Sequence, residues 1–178
     1  MADNYLERKM EEYRNGTLAQ SLRRSVAMTR KRPKSRYEAL RVLVICPDLN
    51  PDAEKLIRTF AARRCRISFA SRSRAAGSAL AQSCGARFYP IEDTTGIETL
   101  SRTAKAAVKH YGSLDAIIYC GEDTQVVRSI ASAANLPEGC LLLTASREDL
   151  ADTCHFNTGD DDFALRCLAY CANLTTHK

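Results

Sequence analysis

The chain has 178 residues, of which 45% are hydrophobic and 26% charged, which suits one domain with a packed core and a shorter appendage. No apolar run approaches the roughly 18–20 residues that span a bilayer, and the first residues lack the apolar segment of a secretory signal; both features predict a cytoplasmic protein without a membrane span. The eight cysteines include no C-x-x-C pair, which favours buried thiols in a reducing compartment over disulfides or a metal site.

Positive charge is concentrated at the start of the chain. Residues 1–41 hold 11 Lys/Arg against 5 Asp/Glu, whereas the remainder holds 15 against 16. The apolar spacing predicts two short helices, at 4–14 and 17–29, followed by a basic linker that a proline interrupts. We therefore divide the chain into a basic helical arm with its linker, residues 1–40, and an α/β domain, residues 41–178.

Three interpretations of the arm stay open. The first is binding of a polyanion through Arg30, Lys31 and Arg32, the second is an arm that packs on another copy of the chain, and the third is a solvated tail. No aromatic residue lies within the basic run to stack a base, so we expect nucleic acid to bind weakly and without sequence preference. Short isolated helices are marginal in water, and Tyr5 and Met10 belong to an apolar stripe that needs a covering surface. This favours a homodimer formed through the arm.

Beyond the arm, predicted strands and helices alternate. Strand runs without polar alternation, such as 116–118 and 141–143, indicate burial on both faces, as in a parallel sheet. Gly85 and Gly112 each follow a predicted helix, where a left-handed residue ends the helix. The predicted strands cover 42–46, 66–71, 86–91, 115–120, 140–144 and a short edge strand at 155–158, and the predicted helices cover 51–64, 75–84, 96–111, 124–135 and 160–173. This pattern predicts a doubly wound, Rossmann-like α/β fold with a parallel sheet of five or six strands, right-handed crossovers and the order 3-2-1-4-5.

The turn after the first predicted strand contains no glycine. In a dinucleotide-binding fold this turn holds the pyrophosphate, with glycines that let the backbone approach and a helix N-terminus that favours anions. Here the turn reads Cys46-Pro47-Asp48-Leu49-Asn50-Pro51-Asp52, with Asn50 as a good helix cap and proline at the first helical position. Two like charges about 4 Å apart cost roughly 4 kcal/mol at an effective dielectric near 20. Asp48 and Asp52 therefore disfavour a bound pyrophosphate.

Three passages between residues 41 and 123 carry a family resemblance. They are Ser71-Arg72-Ser73-Arg74 after the second strand, Pro90-Ile91-Glu92-Asp93-Thr94-Thr95 after the third, and Tyr111-Gly112-Ser113-Leu114-Asp115-Ala116-Ile117-Ile118-Tyr119-Cys120-Gly121 around the fourth. In these passages the chain resembles the N-terminal half of the short-chain dehydrogenase/reductase family. The resemblance implies that Arg72 and Arg74 would bind the 2′-phosphate of NADP. It also implies that Asp93 would face the adenine ring and that Gly121 is the glycine retained from the family's N-N-A-G segment.

The resemblance breaks down where the family carries its chemistry. The T-G-x-x-x-G-x-G turn is absent, and Glu122 follows Gly121 where the family has no carboxylate. The catalytic Tyr-x-x-x-Lys, whose tyrosine is the general acid, is missing after the fifth strand, and the chain's only such spacing, Tyr5 to Lys9, precedes the first strand. Ser146, after the fifth strand, remains as a candidate for the family's substrate-polarising serine.

We therefore predict a degenerate relative of the short-chain dehydrogenases that acts as a non-catalytic binding, structural or regulatory module, with no metal. Two other functions stay open: an NADP-dependent oxidoreductase with an incomplete catalytic set, and a polyanion-binding protein acting through its arm. The crevice at the carboxyl ends of the strands is expected to gather Asp48, Asp93, Cys120, Gly121, Glu122 and Ser146.

Overall fold

The chain divides into two units, residues 1–34 and residues 35–178. The structure, a computed structural model, describes Glu7, Met10, residues 35–92 and 96–121, Val126, Ser129, and residues 139–146 and 154–175. Glu7 and Met10 are helical and exposed. The remainder of the two arm helices, and most of the helix predicted at 124–135, lie outside the described residues.

Six parallel strands form one sheet in the order β3-β2-β1-β4-β5-β6, so the predicted order and the Rossmann-like fold are confirmed. The strands are β1 (Arg41–Ile45), β2 (Arg66–Ser71), β3 (Arg87–Pro90), β4 (Ala116–Tyr119), β5 (Leu141–Ser146) and β6 (Cys154–Asn157). The helices of the described ranges are α1 (Pro51–Ala62), α2 (Arg74–Cys84), α3 (Ile97–Tyr111) and α4 (Phe163–Thr175).

The core has two layers because β1 and its neighbours alternate their side chains between two covered faces. Val42 and Val44 point to one face, where α1, α2 and α4 pack, and Leu43 and Ile45 point to the other, where α3 packs. All four of these side chains are fully buried. Burial on both faces explains the uninterrupted apolar runs of the sequence.

Three helices lead back to the edge of the sheet where the strands begin, which we call the amino edge. The helices α2 and α3 are followed by Gly85 and Gly112, whose φ angles of 69° and 82° are left-handed, as their positions predicted. The turn after α1 instead contains Arg64, with a φ of 63°. Left-handed backbone crowds a Cβ atom, so arginine is an unusual choice at that position.

The last helix begins later than predicted. The sequence predicted a helix over 160–173 with acidic residues in its first turn, but α4 begins at Phe163 and Asp160–Asp162 lie before it. Aspartate favours turns and caps because its short side chain competes for nearby backbone groups. Arg166 forms ion pairs with Asp160 and Asp162, so the aspartates contact the first turn from outside it.

The described helices also bear on the membrane prediction. Within the described ranges, no helix has both the length and the apolar character needed to cross a bilayer.

Candidate functional site

The carboxyl edge of the sheet, where the strands end, is the usual ligand position of a doubly wound fold. The strands β1 and β4 are neighbours at the switch point of the strand order. Arg72 and Arg74 follow β2, Gly121 follows β4 and Ser146 ends β5, so four predicted site residues belong to this edge. Asp93 and Glu122 lie outside the described residues.

The β1–α1 turn is closed by its own groups. The Asn50 side chain accepts a hydrogen bond from the Ala53 backbone N–H at 2.8 Å, and the Asn50 carbonyl accepts one from Glu54 at 3.0 Å. Pro51 has no N–H to donate. The cap predicted from the sequence is therefore present, and it uses backbone donors that a pyrophosphate would need at this helix N-terminus.

Both arginines after β2 are paired with carboxylates. Nη2 of Arg72 lies 2.7 and 2.8 Å from the two carboxylate oxygens of Asp48, and Arg74 lies 2.8 Å from Glu92. All four side chains are largely exposed, and exposed ion pairs contribute only about 0–1 kcal/mol each. Another anion could therefore replace either carboxylate at little cost in free energy. Until then, each guanidinium has a carboxylate beside it.

The end of β4 is tightly packed. The Tyr119 side chain is buried and lies against Gly121, where a Cβ atom would come within 2.7 Å of its ring. Cys120 follows β4 and Cys46 follows β1, and burial raises the pKa of the Cys46 thiol to about 12. Burial also raises the pKa of Cys120, and Cys46 and Asp52 reinforce that rise. Protonated, buried thiols are poor nucleophiles and poor metal ligands.

Sequence reasoning missed a polar pair between β5 and β6. Thr144 Oγ1 and His155 Nδ1 are 3.0 Å apart, since the two residues are register partners on adjacent strands. The second ring nitrogen of His155 is buried and has no partner among the described residues. A Thr and a His in separate strands give no spacing signal, so only the register reveals this pair. Thr144 is fully buried, so the pair joins two strands and presents no accessible nucleophile.

Ser146 is also largely buried at the end of β5. Its carbonyl accepts a hydrogen bond from Thr158 at 2.9 Å, just beyond β6. Across the described ranges, no group of three or more His, Cys, Asp or Glu side chains is arranged to hold a metal.

Comparisons with known proteins agree with this fold. No protein-family model and no curated protein sequence matches the chain. A short-chain type dehydrogenase/reductase from Mycobacterium marinum matches with a TM-score of 0.50 and 14% identity, over 62% of this chain and 57% of that chain. A doubly substituted short-chain dehydrogenase/reductase from Serratia marcescens matches with a TM-score of 0.50 and 15% identity, over 73% of this chain and 64% of that chain.

An NADH-dependent reductase complexed with NAD matches with a TM-score of 0.51 and 10% identity, over 63% of this chain and 62% of that chain. At these identities the likeness establishes the fold alone, and it confirms the Rossmann fold that the resemblance to short-chain dehydrogenase/reductases implied. The chain spans 57% to 64% of the length of these structures.

Proposed function

We propose that this protein is a Rossmann-type module without hydride-transfer chemistry that acts by binding a partner or as a structural or regulatory component. The observation that carries the proposal is the closed β1–α1 turn. Its first helical residue is proline, its cap is the Asn50 side chain, and Asp48 holds Arg72 beside it. The turn does not fit a pyrophosphate.

The charge of the β1–α1 turn disfavours a bound pyrophosphate. A pyrophosphate at the start of α1 would approach the carboxylate of Asp52, and a unit charge about 4 Å away costs roughly 4 kcal/mol at an effective dielectric near 20, whereas the charge of Asp48 is paired with Arg72. A helix N-terminus returns at most about 2 kcal/mol to an anion. The repulsion therefore exceeds the attraction, and the glycines that would let the backbone contribute more are absent.

The sequence after β5 contains no Tyr-x-x-x-Lys motif to supply a general acid. The chain has one Tyr-x-x-x-Lys spacing, Tyr5 to Lys9, and it precedes β1. Ser146 supplies a largely buried hydroxyl, and a serine hydroxyl does not replace the tyrosine as general acid. These features support a role without turnover.

One observation favours a second candidate, an NADP-binding protein. Arg72 and Arg74 both follow β2 and have exposed side chains, in the place where arginines contact a 2′-phosphate. A guanidinium pairs with phosphate through two parallel hydrogen bonds. This candidate requires the phosphate to displace Asp48 and Glu92.

Titration with NADPH and NADH distinguishes the two candidates. We expect no saturable binding of either cofactor to the full-length protein below about 1 mM, a loss of roughly 4 kcal/mol relative to a micromolar site. Calorimetry and cofactor fluorescence are the measurements. Asp48→Asn is the informative variant because it removes the nearby charge and keeps the side-chain shape.

Micromolar NADPH binding that is lost in Arg72→Gln, and retained in the matched control Arg58→Gln, would establish the second candidate in place of the first. Arg58 is suitable because it is paired with Glu54 on α1, so both variants remove one paired arginine.

We also propose that the protein works in the cytoplasm and self-associates through its arm. All eight cysteines are free thiols, which suits a reducing compartment. Met10 exposes 69% of its surface, and the sequence places it on an apolar stripe of a short helix, which a covering surface would stabilise. A second copy of the chain supplies that surface in this proposal.

A further inference from the structure

The amino edge of the sheet, opposite the candidate site, is lined with arginines. Arg41, Arg66 and Arg87 are the first residues of β1, β2 and β3. Arg41 is held by Asp115 through two hydrogen bonds of 3.0 Å. Arg66 and Arg87 are exposed, and neither has a carboxylate partner among the described residues.

Side chains of β2, β3 and α3 bring these two arginines together. Arg87 is the register partner of Ser68, and Arg66 lies two residues before Ser68, so both arginines point to the α3 face. Arg87 approaches His110 Nδ1 at 3.4 Å and covers the Tyr89 ring at 5.5 Å. A guanidinium only donates, so this contact requires His110 to accept at Nδ1, and the ring itself is exposed.

Tyr111 is influenced by the charges of both arginines. Its hydroxyl donates to the Ile67 carbonyl at 3.0 Å. Burial raises the pKa of Tyr111, and the charges of Arg87 and Arg66 both oppose that rise. The charges of both arginines therefore act on the same phenol.

Several other arginines of the described ranges are paired with carboxylates. Five of them form ion pairs with carboxylates close by: Arg58 with Glu54, Arg72 with Asp48, Arg74 with Glu92, Arg102 with Glu98, and Arg166 with Asp160 and Asp162. At the amino edge, Arg66, Arg87 and Lys109 have no carboxylate within ion-pair distance in the described ranges.

The backbone at Arg64 adds an independent observation. After α2 and α3 the corresponding left-handed positions are glycines, Gly85 and Gly112, whereas after α1 the left-handed residue is Arg64. Its only carboxylate contact in the described ranges is a 3.5 Å approach to Glu38, and its side chain is 66% exposed. An arginine stands where the backbone favours glycine, and its exposed guanidinium adds a positive charge to this edge.

We propose that Arg64, Arg66, Arg87, Lys109 and His110, the cationic edge, bind the phosphate backbone of duplex nucleic acid without reading its sequence. Adjacent strands of the sheet are about 4.8 Å apart, and each strand of the duplex carries one phosphate per about 3.4 Å of helix axis, so a row of guanidinium groups along this edge can contact several phosphates. Each guanidinium matches a phosphate through its fork of donors.

The aromatic residues decide between duplex and single-stranded nucleic acid. Single-strand binding depends on exposed rings that stack on bases. Tyr111 is half-buried with its hydroxyl engaged, and the Tyr89 ring lies under Arg87. Contacts are thus limited to phosphates, which favours the polymer with the higher charge density.

The test measures binding of full-length protein to a random-sequence 20-base-pair DNA duplex across a salt series. The triple variant Arg64→Gly, Arg66→Gln, Arg87→Gln is expected to lower the slope of log K against log salt by about 2–3, since each lost phosphate contact removes roughly 0.9. At 0.1 M salt this weakens binding by at least about tenfold. Arg64→Gly alone is expected to weaken binding while raising the melting temperature, because glycine suits the left-handed turn.

Matched controls remove the same charge elsewhere. The variant Arg58→Gln, Arg102→Gln, Arg166→Gln takes three paired arginines from α1, α3 and α4 and leaves the slope unchanged. Three outcomes overturn the proposal. In the first, the triple variant leaves the slope unchanged, whereas the arm variant Arg30→Gln, Lys31→Gln, Arg32→Gln abolishes it. In the second, the protein binds single-stranded DNA more tightly than duplex DNA, and in the third it binds vesicles containing phosphatidylserine but not duplex DNA. A triple variant that melts more than 5 °C below the parent is replaced by Arg64→Gly with Arg87→Gln, for which the slope is expected to fall by about 2.

Discussion

At the scale of single residues, Gly121 has a packing role that its sequence context conceals. A Cβ atom at this position would lie 2.7 Å from three atoms of the Tyr119 side chain, and Tyr119 is buried at the end of β4. A shift of the ring would disturb the packing around a side chain that is only 4% exposed. The neighbouring tyrosine explains why residue 121 is a glycine. Gly121 is therefore not by itself evidence of a dinucleotide site.

Replacing Gly121 with alanine tests this explanation. We expect Gly121→Ala to lower the free energy of unfolding by about 1–3 kcal/mol, the usual cost of forcing extra atoms into a packed site. Urea denaturation is the measurement. In a Tyr119→Leu background the added cost of the alanine should shrink, since the clashing ring is gone. An equal cost in both backgrounds contradicts the explanation.

The buried thiols predict how stability changes at alkaline pH. Burial raises the pKa of Cys46 and of Cys65 from their ordinary value of 9.0 to about 12. Below pH 9 both thiols are protonated in the folded and the unfolded chain, so they cause no pH dependence. Between pH 9 and about 12 the unfolded chain loses these protons first, and the unfolding free energy falls by up to about 1.4 kcal/mol per pH unit and thiol.

The measurement is urea denaturation in a reducing buffer between pH 8 and pH 11. The variant Cys46→Ala, Cys65→Ala is the reference, because all other titrating groups are common to both proteins. Its unfolding free energy should fall less steeply with pH than that of the parent. Parallel curves would show that these thiols do not contribute.

At the scale of elements, strands and helix ends followed from local chemistry that the sequence displays. Uninterrupted apolar runs located the parallel strands, Asn50 with Pro51 located the start of α1, and Gly85 and Gly112 marked helix ends. The start of α4 was predicted three residues early because Asp160–Asp162 resemble a charged first turn. Aspartate favours both a first turn and the turn before it, so composition does not separate the two.

The candidate site was predictable only in part, for a geometric reason. Parallel strands place their ends at one edge, so the sequence predicted that Arg72, Gly121 and Ser146 share an edge of the sheet. It did not predict that Arg72 pairs with Asp48, which is 24 residues away, or that Thr144 meets His155. Such pairs depend on register and on rotamers, which no spacing in the sequence encodes.

At the scale of the whole domain, the two edges of the sheet differ in how their charge is balanced. At the carboxyl edge, Arg72 and Arg74 are each matched by a carboxylate. At the amino edge, Arg66 and Arg87 are unmatched among the described residues. A net charge of +5 for the chain therefore conceals an uneven distribution in the domain as well as in the arm. Electrostatic attraction of polyanions follows the local potential more than the net charge.

The arm supplies the last prediction. Helices shorter than roughly 12–15 residues are marginal in isolation, and the exposed Met10 side chain belongs to an apolar stripe with Tyr5, Leu6 and Tyr13. We expect deletion of residues 1–36 to leave a folded domain, since the sheet and both faces of its core lie beyond residue 36. The same deletion should shift a dimer toward monomer because it removes the apolar stripe.

Sedimentation velocity at tens of micromolar measures the shift, and circular dichroism confirms that the shortened chain is folded. Within the full-length chain, Met10→Glu should dissociate the dimer because it buries a charge in the interface, whereas the control Glu7→Gln, at another exposed position of the same helix, should not. A full-length protein that sediments as a monomer would refute self-association through the arm. The apolar stripe would then be either covered within one chain or exposed to water. A Met10→Glu variant with an unchanged free energy of unfolding would identify the exposed case, because a charge costs little on a surface that is already solvated.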